Sequence, residues 1–256
     1  MYKMKTRYSF KLQKMRISIF LAFILFFISS QNGFSQRNTY VGIETALNHD
    51  IYDQLDQGNL LKKAALISGY YGLNIRQELN TAVFIEAGLL RKHYNEGFGI
   101  NIFSGYTETN AINAWMIPLR LGSRLNLKNH QVFLIPVIGY ARVLNSDYGY
   151  GDGGIGGFQS NHSDTVHFSV FSDLNLRRSF PLLQTGLSIE CYFLKKAILS
   201  FSANYYTGFT NVIEQDIIYT HNSNTYTASG LSKGELMSFG VAAKYPISGI
   251  WKKRKE

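Results

Sequence analysis

The sequence predicts an all-β fold: an eight-stranded antiparallel up-and-down transmembrane β-barrel. Three observations carry this. Alternation of apolar and polar residues with a period of two recurs along the chain after its N-terminal segment, where a convincing helical period is missing. The alternating runs mostly exceed the ~5–6 residues of an ordinary strand and reach the ~9–11 that a tilted strand needs to cross a bilayer. Short and long connections between them strictly alternate, which in an up-and-down barrel gathers every long loop at one end.

The N-terminal segment reads differently. Lys3, Lys5, Arg7, Lys11, Lys14 and Arg16 precede the apolar run "ISIFLAFILFFI" from Ile17 to Ile28. That run is too short for a membrane helix, which needs roughly 20 residues. A basic start, a short apolar centre and small residues after it describe a signal peptide over residues 1–35, cleaved after Ser35. An uncleaved anchor is the alternative, and Met15 an alternative start. The whole chain has 26 Lys and Arg against 17 Asp and Glu, net +9. Removing residues 1–35 takes away six bases and no acid, which leaves +3. Four of the remaining bases sit in the C-terminal "WKKRKE", within a basic tail at 248–256. The high charge therefore belongs to the ends and does not argue for nucleic-acid binding. A single cysteine, Cys191, rules out an internal disulfide framework.

The strands are expected at Thr39–Asn48, Ile67–Leu79, Thr81–His93, Ile112–Leu125, His130–Asn145, Ser179–Leu194, Lys196–Val212 and Glu235–Ile247, within a barrel domain at 36–247. Asn80, "NLKNH" and "KK" make the short turns. Residues 49–66, 94–111, 146–178 and 213–234 make the long loops.

Each strand has one apolar face. Tyr71, Leu73 and Ile75 alternate with Gly72, Asn74, Arg76 and Glu78; Leu187, Ile189 and Cys191 alternate with Gly186, Ser188 and Glu190. The opposite face is small, polar or charged. A water-soluble barrel would turn the apolar face inward. Ionic groups in mid-strand, with glycines between them, suit a narrow polar lumen instead. Aromatic residues Tyr40, Trp115, Tyr140, Tyr192, Phe193, Tyr205 and Tyr245 stand at the ends of the apolar face, as at bilayer interfaces, with Trp251 a further candidate. The fifth strand, "QVFLIPVIGYARVL", is apolar on both faces. Pro136 predicts a bulge there, and Pro118 raises the same expectation in the fourth strand.

The stretch "NAWMIPLRLGSRLNL" and the hairpin "GLSIECYFLKKAILSFSANYYTGFTNV" resemble outer-membrane β-barrel-domain proteins of the PorT-like group. The resemblance implies an eight-stranded, OmpA-sized barrel in the outer membrane of a Gram-negative bacterium. It implies no shared catalytic residues, and no cofactor is expected. It also suggests an accessory part in a secretion machine.

Candidate chemistry is sparse. Gly149–Gly154 fits the dinucleotide-binding G-x-G-x-x-G, but no amphipathic helix follows to meet a pyrophosphate. A Ca²⁺-binding nonapeptide repeat from Gly153 fails at Phe158, where it needs Asp. The stretch is expected to be a mobile external loop with Tyr148, Tyr150 and Phe158 as contact residues; Asp147, Asp152 and Asp164 could gather a loose cation. The lumen is expected to hold Glu44, Glu78, Glu86 and Glu190 against Arg76, Arg120, Arg124 and Lys244. Balanced signs in a narrow lumen predict a salt-bridged plug, with a gated small-solute pore as the alternative. His49, His93, His162 and His167, with Ser104 or Ser160, leave a rim-active enzyme as a further alternative. Outer-membrane lipid and an extracellular or envelope protein are the expected partners.

Overall fold

The computed structural model describes residues 38–63, 67–100, 107–128, 131–146, 152–161, 164–173, 176–193 and 197–247. The expected signal peptide and basic tail lie outside the described residues. The elements are β1 (Thr39–Asp50), β2 (Asp53–Asp56), β3 (Leu61–Lys63), β4 (Ile67–Glu78), β5 (Val83–Ile100), β6 (Thr107–Ser123), β7 (Leu125–Lys128), β8 (Val132–Asn145), β9 (Asp152–Asn161), β10 (Asp164–Asp173), β11 (Ser179–Phe193), β12 (Ala197–Gly208), β13 (Ile213–His221), β14 (Asn224–Ser232) and β15 (Leu236–Pro246).

Eight of these close a barrel in the order β1, β4, β5, β6, β8, β11, β12 and β15, with β15 pairing back onto β1. Every neighbouring pair is antiparallel. Closure leaves no open edge in the wall, the condition for a sheet in a medium that cannot hydrogen-bond. Twelve residues of β1, at ~3.4 Å each and tilted by ~45°, climb about 29 Å. At the β4–β5 turn the Asn80 carboxamide oxygen accepts the N–H groups of Ala82 and Val83 at 2.8 and 2.7 Å. This local bond lets one short segment reverse the chain.

Alternation sorts the residues as the period of two requires. Ile43, Leu73, Phe201 and Phe239 face outward, 64, 58, 50 and 66% exposed. Their neighbours Glu44, Asn74, Ser200 and Ser238 are buried inside. The strand that is apolar on both faces is resolved: Pro136, Ile138 and Tyr140 point out, while Ile135, Val137, Ala141 and Val143 point in.

Several expectations are corrected. Tyr40 does not belong to the outer aromatic rim; it is buried inside, sharing the parity of Glu44 on its strand. Tyr192 likewise shares the parity of Glu190 and sits within 5.9 Å of the Arg124 guanidinium. Pro136 makes no bulge in its ladder with β11, which runs unbroken through Leu187↔Pro136. It falls where β8 passes from β6, last paired at Val137, to β7, first paired at Leu134, so no partner there requires its missing N–H. Pro118 is accommodated differently. Its pairing with β8 is continuous, but the β5–β6 ladder skips from Ala87↔Leu119 to Leu90↔Met116. Gly88 makes the room: a Cβ there would stand 3.1 Å from the Pro118 ring.

The long connections are not plain loops. Five strands form a second antiparallel sheet in the order β2, β14, β13, β10, β9. The hairpin between β13 and β14 turns at Asn222 and Ser223, both with positive φ (46° and 67°), the geometry of a two-residue hairpin. Most of the glycine-rich stretch is β9, paired with β10 from Asp152↔Asp173 to Asn161↔Asp164. Its repeated glycines serve a strand where a loop was expected.

If the wall closes as described, detergent-extracted protein will run faster on a gel unheated than boiled. A single mobility at both temperatures would contradict closure.

Candidate functional site

Among the described residues, the interior is where several elements bring buried unlike charges together. Its chemistry begins with parity: any residue two, four or six positions from Glu44 on β1 also points inward. Glu44, Arg76, Glu78, Glu86, Arg120, Glu190 and Lys244 are all buried there, and the Arg124 side chain is 6% exposed.

Glu86 on β5 is the centre. Its two oxygens meet Lys244 Nζ at 2.6 Å, Arg120 Nη1 at 2.9 Å and Arg76 Nε at 3.0 Å. Arg76 uses its other two nitrogens on Glu190, the nearer pair at 2.5 Å. Arg120 forks onto both oxygens of Glu44 at 2.6 and 2.8 Å, and its Nε donates to the Gln184 side-chain oxygen at 3.0 Å. The Tyr70 hydroxyl and the Asn74 amide complete Glu44 at 2.9 and 3.1 Å. Forked arginine–carboxylate contacts fix geometry as well as charge. Only a small void, about 20 Å³, remains among Glu44, Arg76, Glu86, Arg120 and Lys244. That is room for roughly one water.

Toward the short-turn end Arg124 meets Glu78 at 2.6 Å and lies 5.7–5.9 Å from the ring centres of Phe84, Phe133 and Tyr192. The Arg76 guanidinium covers the Phe84 ring at 3.6 Å. Aromatic faces thus take up the sides of these arginines that carboxylates do not.

Toward the long-loop end the interior changes character, and the expectation of an inner face that is polar throughout is corrected. Leu90, Tyr94, Ile112, Met116, Val143, Phe180, Leu182, Tyr206 and Leu236 form one buried apolar cluster. Val212 and Ile213, at the root of β13, are part of it, so the external sheet is anchored in the barrel mouth. One ion pair that sequence reasoning missed lies at this end: Lys92 Nζ donates to Asp50 Oδ1 at 2.8 Å, with the Tyr94 ring 3.8 Å away. Both residues share the parity of the other lumen ions, which was the available signal.

Outside the barrel, Asp56 organises the first long connection. Its carboxylate accepts the N–H of Gly58 and of Leu61, at 3.0 and 2.7 Å, and the Tyr219 hydroxyl at 2.6 Å. Tyr219 in turn stacks on Tyr226 with ring centres 5.5 Å apart. Burial, followed by the bond to Asp56, pushes the Tyr219 phenol well above its ordinary pKa.

Other singled-out residues stay apart. Tyr148, Tyr150, Asp147, His162 and Ser104 lie outside the described residues. Phe158 stands in β9 opposite His167, and Ser160 opposite Thr165. His49 is exposed on the outer wall, and the His93 ring lies beside Tyr71, centres 6.3 Å apart.

No family model and no curated protein matches the chain. Solved structures similar to it include the outer-membrane protein OprG of Pseudomonas aeruginosa, at 10% identity and a TM-score of 0.45, covering 81% of this chain and 96% of that one. The N-terminal β-barrel domain of OprF from the same organism matches at 12% identity and a TM-score of 0.38, covering 82 and 100%. The attachment invasion locus protein Ail of Yersinia pestis, solved with a heparin analogue, matches at 11% identity and a TM-score of 0.41, covering 83 and 99%.

Two outcomes follow. Glu86→Gln strands the surplus cation among Arg76, Arg120 and Lys244 and will cost about 3–5 kcal/mol in denaturant unfolding, as removing one partner from a buried ionic cluster does. Adding Lys244→Met to that variant will recover part of the loss. Asp56→Ala will speed proteolytic cutting between residues 57 and 66 while leaving the heat-dependent gel shift of the barrel unchanged.

Proposed function

We propose that this chain is a non-enzymatic outer-membrane protein whose barrel is closed to solutes and holds a folded external sheet that contacts a partner outside the cell. The wall supports the membrane placement. Its exposed residues include Leu47, Leu89, Leu119, Ile138, Leu187 and Val241, contiguous around the barrel, and a belt of that extent is far larger than the apolar patches of a water-soluble monomer. Phe193, Tyr205 and Tyr245 are exposed near the strand ends, the place of an interfacial aromatic girdle. Long connections then face outward and short turns face the periplasm.

The observation that carries the closed-lumen reading is the stacking of two fillings in one narrow bore. The ionic layer around Glu86 leaves about 20 Å³, and the apolar cluster from Leu90 to Leu236 lies above it. A hydrated ion would have to break forked arginine contacts and then cross a dry section. What remains for function is the outside, where β2, β9, β10, β13 and β14 build a surface tied to the barrel through Val212 and Ile213 and held together within itself by Asp56 and Tyr219. Adhesion or docking suits such a platform, with Tyr148, Tyr150 and Phe158 as contact residues.

The PorT-like assignment goes with this reading and rests on the segments 113–127 and 186–212. An accessory role in a secretion machine is the form of docking that it supports; co-purification of envelope proteins with the barrel distinguishes that role from adhesion. In planar bilayers the protein will show little or no single-channel conductance. A steady, large conductance would overturn the closed-lumen reading.

A further inference from the structure

The outer wall between β1, β4, β5 and β6 carries a groove of about 730 Å³. Ile43, Leu73, Leu89 and Val241 line it with apolar surface, and Gly72 lets β4 and β5 close up at its floor, where a Cβ would stand 2.8 Å from Leu90 Cα. At the long-loop end of the same groove stand Arg91 and Trp115. The guanidinium lies 5.2 Å from the Trp115 ring centre, and Nη1 donates to Ser146 Oγ at 2.8 Å.

Arg91 differs from the arginines of the lumen. Arg76, Arg120 and Arg124 each meet carboxylates, whereas none of the ion pairs among the described residues includes Arg91. A guanidinium has five N–H donors, and the Ser146 hydroxyl takes up one of them. A second wall groove of about 520 Å³, among Leu187, Phe201 and Phe239, has no charged residue on its lining. Cation and groove coincide only at the first of these two.

We propose that this groove is a binding site for an anionic lipid of the outer leaflet, with an acyl chain along Ile43, Leu73 and Leu89 and the phosphate on Arg91. The inference rests on the membrane placement above. An acyl chain is what the surroundings offer an apolar groove on a lipid-facing wall. A phosphate is the complement of a guanidinium that meets no carboxylate among the described residues and stands at the long-loop end of the groove. The Trp115 ring holds the guanidinium at the groove.

Trp115 is also the reporter. The chain has two tryptophans, so Trp251→Phe in the full chain leaves Trp115 alone. The protein is reconstituted in phosphatidylcholine vesicles that contain a minor fraction of either brominated phosphatidic acid or brominated phosphatidylcholine. Mole for mole, the anionic quencher will reduce Trp115 fluorescence severalfold more than the zwitterionic one. Arg91→Gln will bring the two to the same level, and inorganic phosphate in the buffer will leave the preference intact. Equal quenching in the parent, a preference that survives Arg91→Gln, or one abolished by inorganic phosphate would each overturn the lipid site. Failure of both lipids to quench would instead overturn the membrane placement itself.

Discussion

Buried charge in a bore too narrow for bulk water is the constraint on which the rest of this structure depends. Arg76 and Arg120 are each met by two carboxylates, and Glu86 by three cations. An isolated ion in such a place would cost several kcal/mol, so each charge is acceptable only because the others are there. Acids and bases are equal in number: Glu44, Asp50, Glu78, Glu86 and Glu190 against Arg76, Lys92, Arg120, Arg124 and Lys244. The contacts also span the bore. Arg76 on β4 reaches Glu190 on β11, and Lys244 on β15 reaches Glu86 on β5. Side chains thus tie together strands that the backbone ladder does not join.

This arrangement explains why the two ends of the barrel differ. The ionic layer needs partners on every side, so the short-turn end adds aromatic faces from Phe84, Phe133 and Tyr192 around the arginines. The long-loop end needs a mounting for a second sheet. A buried apolar cluster that includes Val212 and Ile213 supplies it, because those residues begin the strand that leaves the barrel. Asp56 and Tyr219 then join the first and last long connections outside.

Much of the wall was legible because a strand has a strict period. One charge inside fixes the parity of its whole strand, so Glu44, Arg76 and Lys244 each orient their neighbours. At Tyr40 and Tyr192 parity outranks chemical type: both are aromatic and near strand ends, yet both keep step with a buried glutamate. The fifth barrel strand was ambiguous because Val143 joins the long-loop-end cluster while Ile135 and Val137 pack with Phe84 elsewhere in the interior, and no rule about polar lumens covers that. Ion partners were not legible. Parity says that Arg120 points inward, but its fork onto Glu44, 76 residues away, depends on how the strands are staggered around the barrel. The external sheet was hidden by its turn residues. Asn222-Ser223 and the glycines of β9 read as loop composition, and the alternation between them was short.

The most direct test of the inside-out arrangement is a nitroxide scan of β4 in lipid bilayers, one label at a time from Ile67 to Glu78. Collision with oxygen, which concentrates in hydrocarbon, will rise at positions 71, 73 and 75 and fall at 70, 72, 74 and 76. High oxygen access at 74 and 76 with low access at 73 and 75, or uniform access to a water-soluble nickel chelate along the strand, would contradict the account.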